Sequence, residues 1–105
     1  MRLHHRFEWD PAKAKTNLRK HAVSFEDAAV VLADDRGDRF HVEDFDDGHS
    51  LDEARWITTA SHPFDRAIVL RISWMERRGV TRIISARLAT PGERRVYEEE
   101  VGHGS

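Results

Sequence analysis

The apolar positions of this chain change period three times, and each change marks a structural element. After an extended lead-in at Phe7-Glu8-Trp9, Asp10-Pro11 pairs a capping residue with a proline suited to a first helical turn, which predicts a helix from about Pro11 to His21. Its apolar side is thin, mainly Ala14 and Leu18, amid Lys13, Lys15, Arg19 and Lys20. Ser24 with Asp27 opens a second helix through about Ala33, whose Phe25, Ala28, Ala29 and Leu32 fall at i, i+3, i+4 and i+7 and form one buried stripe. From Arg36 the period becomes two, with Phe40, Val42 and Asp44 alternating against Arg39, His41 and Glu43, as in a strand. Asp46-Asp47-Gly48 then turns the chain. Further strands are predicted over Arg55 to Ser61, Arg66 to Met75 and Val80 to Ala89, with Pro63 and Asp65 in one turn and Arg78-Gly79 in another. Thr90-Pro91-Gly92-Glu93 is a capping box with proline at the first helical position, so a last helix runs to about Glu100. The expected fold class is α+β: two N-terminal helices, a four-stranded antiparallel sheet and a C-terminal helix, one domain over residues 1–105.

Strand parity sorts the side chains further. Ile68, Leu70, Ile72 and Trp74 face one way, and Val69, Arg71 and Ser73 the other. Arg87 shares parity with Ser85, opposite Ile84, Ala86 and Leu88, whereas strict alternation puts Arg82 on the apolar side with Ile84 and Leu88. Composition narrows the function classes. The chain has no cysteine, which excludes a disulfide framework, a zinc ribbon and a thiolate nucleophile. No apolar run approaches the length of a membrane span and the first six residues lack a signal-peptide h-region, so a cytoplasmic protein is expected.

The net charge of −2 hides a segregation along the chain. Residues 1–23 carry a net +4 and residues 66–97 a net +6, while residues 24–54 carry −9. A fold that joins the two basic segments makes a basic surface that attracts phosphate despite the overall charge. The acidic stretch from Asp44 to Glu53 does not fit a calcium loop, because setting Gly48 at the sixth position puts Phe45 at the third. His4, His5, His41, His49 and His62 show no ligand spacing, so no metal or other cofactor is expected.

Candidate chemistry falls on two groups. His21 ends a cationic helix after Lys20, where it either interacts with the last carbonyls or exchanges protons with a substrate. Arg55, Arg71, Arg82 and Arg87 lie in strands, which suits either a solvated face with cross-strand pairs or an anion-binding one. Tyr97 and Trp56 suit a core as well as a site.

Several separated motifs, in order, resemble the BrnT family from Phe7 to about Glu99: Phe7-Glu8-Trp9-Asp10-Pro11-Ala12-Lys13, Asn17-Leu18-Arg19-Lys20-His21, Val23-Ser24-Phe25-Glu26-Asp27-Ala28, Arg55-Trp56, Arg82-Ile83-Ile84-Ser85-Ala86-Arg87 and Glu93-Arg94-Arg95 with Tyr97-Glu98. One departure is Ala22, where such proteins commonly carry the glycine of a left-handed helix stop. The resemblance implies a RelE-like ribonuclease toxin of a type II toxin–antitoxin pair that inhibits translation. It also implies a BrnA-type ribbon-helix-helix antitoxin as partner, with operator DNA reached only through that antitoxin. The expected enzyme is a metal-independent endoribonuclease, which can use the RNA 2′-hydroxyl as nucleophile. On that scheme His21 transfers protons, Lys20 contacts phosphate, Arg55, Arg82 and Arg87 stabilise developing charge, and Tyr97 donates to the leaving oxygen. The competing expectation is a noncatalytic module that binds the antitoxin in operon autoregulation.

Overall fold

A computed structural model describes residues 6–34, 41–47 and 54–102. The elements run β1 (Phe7–Glu8), α1 (Pro11–His21), α2 (Phe25–Leu32), β2 (His41–Phe45), β3 (Arg55–His62), β4 (Asp65–Arg77), β5 (Val80–Leu88) and α3 (Pro91–Gly102). The strand start expected from Arg36 to Phe40, most of the acidic loop, and His4, His5 and His49 lie outside the described residues.

The helix boundaries follow their caps. The Asp10 carboxylate accepts from the Ala12 N–H at 2.9 Å, and Ser24 Oγ accepts from the Asp27 N–H at 3.0 Å. At α3 the box is reciprocal: Thr90 Oγ1 accepts from Glu93 N–H at 3.2 Å and Glu93 Oε1 accepts from Thr90 N–H at 2.9 Å. Helix α1 stops at Ala22, which takes φ 56° and ψ 27° and donates its N–H to the Leu18 carbonyl. This is the conformation glycine usually supplies, so alanine keeps the stop at a cost of about 1 kcal/mol.

The four antiparallel strands expected are corrected to a five-stranded mixed sheet in the order β1-β5-β4-β3-β2. Phe7 and Glu8 pair in parallel with Thr81 and Arg82, while β5-β4-β3-β2 is antiparallel throughout. Two residues are too few to show a period, and their partner lies more than seventy positions away. Gly79 (φ 78°) and Arg78 (φ 55°) form the tight turn between β4 and β5, the left-handed pair that matches strand twist.

One sheet face carries α1 and α2. Phe25, Ala28, Val31 and Leu32 of α2 bury against Ala60, Leu70, Ile72, Ile83 and Ala86, with Trp9 edge-on to Phe25. Burying side chains of this size contributes about 2 kcal/mol each. In α1 the expected apolar residue Leu18 is 52% exposed, and the buried residue is Asn17. Its Nδ2 donates to the carbonyls of Ala86 (2.7 Å) and Val23 (3.0 Å), and its Oδ1 accepts from the Ala86 N–H (3.1 Å). A side-chain amide thereby satisfies both backbone groups of one β5 residue, as a neighbouring strand would, and binds α1 to the sheet.

A bulge decides the other face. Ser73 pairs with Ser85 but Trp74 pairs with Ile83, leaving Ile84 as the extra residue on β5. The shift reverses the parity of everything before it, so Arg82, opposite Met75, joins Arg71 and Arg87 rather than Ile84 and Leu88.

Candidate active site on the sheet face

The face away from α1 and α2 is built of short rows across the strands. Val42, Thr59, Arg71 and Arg87 are in register in one row; Asp44, Ile57, Ser73 and Ser85 in the next; Arg55, Met75, Arg82 and Glu8 in the third. Rows repeat every two residues, about 7 Å along a strand. Four guanidinium groups therefore frame a patch whose centre holds two serines, all half-buried. Helix α3 covers the far end of this face, where the Tyr97 hydroxyl accepts from the Ser61 N–H at 3.1 Å and lies 3.2 Å from Ser61 Oγ.

Three of the four arginines, Arg71, Arg82 and Arg87, arrive oriented by carboxylates. Glu93 receives a fork from Arg87, NH1 to Oε1 at 2.7 Å and NH2 to Oε2 at 2.9 Å, and Arg71 Nε approaches the same Oε2 at 3.1 Å. Arg71 also donates to Thr59 Oγ1 at 3.1 Å, and Arg82 pairs with Glu8 at 2.9 Å. The Arg87 hydrogen bonds hold the Glu93 carboxyl at about 2, well below the usual carboxylate range, helped by the Thr90 N–H and the Arg71 charge and opposed by burial. The same fork raises Arg87 above its ordinary value against the opposing effect of burial.

Lys20 and His21 stand apart from this patch. They line a cleft of about 310 Å³ between α1 and β5 with Lys13, Thr16, Asn17 and Ile84. Both are exposed, and their side chains make no hydrogen bond or ion pair among the described residues. Asn17, one turn before His21, bonds the backbone of Ala86, the neighbour of Arg87. The end of α1 and the arginine patch thus flank the same stretch of β5 from opposite sides. Of the six residues given catalytic parts from sequence, Arg55, Arg82 and Arg87 share a face, Lys20 and His21 share the α1 cleft, and Tyr97 is buried where α3 meets the sheet.

Sequence reasoning counted Arg71 among the strand arginines but gave it no catalytic part, and it gave Glu93 no site role at all. Parity signalled Arg71, whereas Glu93 was legible only as a helix cap. Among the described residues no group of three or more His, Asp or Glu is arranged to hold a metal, and no helix is long and apolar enough to cross a membrane.

A thin α+β domain that brings its two basic segments together at β5 and lines an open sheet face with oriented guanidinium groups defines a class of small protein built to meet a polyanion. The chain belongs to the BrnT family: its residues 9–93 match the family described as ribonuclease toxin, BrnT, of type II toxin–antitoxin system. It acts on RNA, and its counterpart is an antitoxin. The fold is similar to that of the Brucella abortus ribonuclease toxin, BrnT, known from a 1.1 Å crystal structure. That likeness has a TM-score of 0.60 at 18% identity and covers 82% of this chain and 97% of the other. No curated protein matches the chain.

Proposed function

We infer that this toxin cuts single-stranded RNA without a metal ion, by attack of the 2′-hydroxyl on the adjacent phosphorus, and that it inhibits translation by doing so. The observation that carries the reading is the strand register, with its bulge at Ile84, which sets Arg55, Arg71, Arg82 and Arg87 on one face around Ser73 and Ser85. Guanidinium groups held in place before the substrate arrives stabilise charge that develops at phosphorus without reorganising at the moment of reaction. Arg55, Arg82 and Arg87 take that part. Lys20 contacts a flanking phosphate, and His21, solvated at the end of α1, exchanges the proton as the strand crosses the β5 edge. Tyr97, whose hydroxyl is bonded to Ser61, reaches the leaving oxygen only if that bond is released, so its larger contribution here is to seat α3.

In the step itself the 2′-oxygen bonds to phosphorus as its proton passes to a base, and the 5′-oxygen leaves with a proton. The products are a 2′,3′-cyclic phosphate and a 5′-hydroxyl. Labelled RNA incubated with the purified chain in EDTA is expected to yield those ends at an undiminished rate. Loss of cleavage in EDTA with recovery on adding magnesium, or 5′-phosphate ends, would overturn the mechanism.

The same reading takes the architecture as RelE-like and the partner as a BrnA-type ribbon-helix-helix protein that carries the complex to operator DNA. A second reading, a noncatalytic antitoxin-binding module acting in operon autoregulation, is favoured by one observation. The sheet arginines are already compensated by Glu93 and Glu8, as in a structural network. RNA left intact by protein that still binds its antitoxin would select it.

A further inference from the structure

Beside the arginine patch, between β2 and α3, lies a cleft of about 320 Å³ lined by Val42, Asp44, Thr59, Arg71, Glu93 and Tyr97, with Val96 and Gly92 on its helix side. The roles above leave this cleft unused. Val42 and Val96 give it apolar walls, and Arg71, one quarter exposed, stands where it meets the patch. Arg71 and Arg87 share Glu93, but the Asp44 carboxylate makes no hydrogen bond or ion pair among the described residues. It projects from the edge strand, in register with Ile57, onto the arginine face. An uncompensated carboxylate beside a guanidinium that already holds one disfavours a second phosphate there. It suits a neutral, flat group that presents hydrogen-bond donors at its edge and apolar surface on its sides.

We propose that this cleft receives the nucleobase next to the phosphate held by the arginine patch, and that Asp44 selects a base bearing an amino group, guanine above the others, and disfavours uracil. Guanine offers N1–H and N2–H side by side, so that both carboxylate oxygens accept at once. Cytosine and adenine offer an amino group alone. Uracil offers a single N–H flanked by two carbonyl oxygens that the carboxylate repels. Single-stranded bases are recognised in this way, by their exposed Watson–Crick edges, with phosphate contacts fixing register. The role given to the phosphate rests on the ribonuclease reading above; the selectivity of the cleft does not.

The test is therefore run on two substrates. The chain is titrated with GMP and with UMP while the methyl signals of Val42 and Val96 are followed by NMR, and cleavage sites are mapped on an RNA of random sequence. Both experiments are repeated with Asp44→Asn, whose amide donates as well as accepts. For the parent chain GMP is expected to shift both valines and to bind about tenfold or more tightly than UMP, and cuts are expected beside guanosine. In Asp44→Asn the difference between the nucleotides is expected to collapse and cuts beside uridine to appear. Equal responses to GMP and UMP, no response of the two valines, or an unchanged preference in Asp44→Asn would overturn the assignment. RNA left uncut by a chain whose valines prefer GMP removes the nuclease reading and keeps the cleft. RNA cut at sites that Asp44→Asn leaves unaltered keeps the nuclease and removes the cleft.

Discussion

Arg87 and Glu93 are bound so closely that either one reports on the other. Replacing Arg87 with alanine removes a fork of two charge-assisted hydrogen bonds, but Glu93 keeps Arg71 and the Thr90 N–H, and no apolar core is opened. The pair is partly solvated, so the expected loss of stability is about 1 kcal/mol, a fall of a few degrees in Tm. If the guanidinium stabilises charge at phosphorus, the rate of RNA cleavage is expected to fall about 100-fold or more. Melting curves and single-turnover cleavage of purified Arg87→Ala separate the two effects. A folded variant cutting at the parent rate takes Arg87 out of the site. Glu93 predicts a pH effect of definite sign. Its carboxyl titrates at about 2 in the folded chain and near 4.5 otherwise, so its contribution is complete above pH 4.5 and is lost as pH falls from there towards 2. Chemical denaturation across that window is expected to show the decline in the parent chain and a shallower one in Glu93→Gln, whose amide still fills the capping box. Equal slopes would show that the carboxylate is not tied to the arginines in solution.

Strand β5 meets α1 at one edge, β4 at the other and β1 at its start. It tolerates α1 alongside because Asn17 replaces the missing strand neighbour at Ala86. Asn17→Leu keeps the size of the side chain but strands a buried N–H and two carbonyls. The expected cost is about 3 kcal/mol, a drop of roughly 10 °C or more in Tm. An unchanged melting curve would show that water satisfies those groups and that α1 is held mainly by packing. The helix limits, the α3 capping box and the β4–β5 turn were legible in the chain because each is set by neighbours within four residues. The thin stripe of α1 misled, since Leu18 points to solvent and a polar residue takes the buried place. No local pattern reveals that an asparagine will find a strand edge 69 residues away.

For the molecule as a whole, the charge segregation along the chain becomes a spatial one. The cationic N-terminal segment meets the arginine-rich segment through β1 and α1 against β5, while the acidic residues of β2 stand at the opposite edge of the sheet. On the proposed reading, the lysines of α1 attract RNA at long range, and the sheet arginines, of which Arg71, Arg82 and Arg87 are already paired with Glu93 or Glu8, act at short range. An antitoxin that blocks RNA must cover that surface. In the complex the side chains of Arg55 and Arg87 are expected to lose solvent exposure, seen in a structure or as protection from arginine-directed labelling. A complex that leaves both fully open would require inhibition by some other route.

The order of the elements after β1, the two capping boxes, the buried stripe of α2, and the shared parity of Arg71 with Ser73 and of Ser85 with Arg87 follow from the chain itself, because each depends on spacing within one element. Arg82 reached the arginine face only through the bulge at Ile84, which depends on pairing with β4 and not on the residues of β5 alone. The parallel pairing of β1, the forks onto Glu93, the separation of Lys20 and His21 from the arginines across β5, and the cleft beside Asp44 were likewise decided by tertiary structure. Each is a meeting of side chains or strands from different elements. Local spacing carries no information about such meetings, since a shift of one residue in register sends every side chain of a strand to the other face.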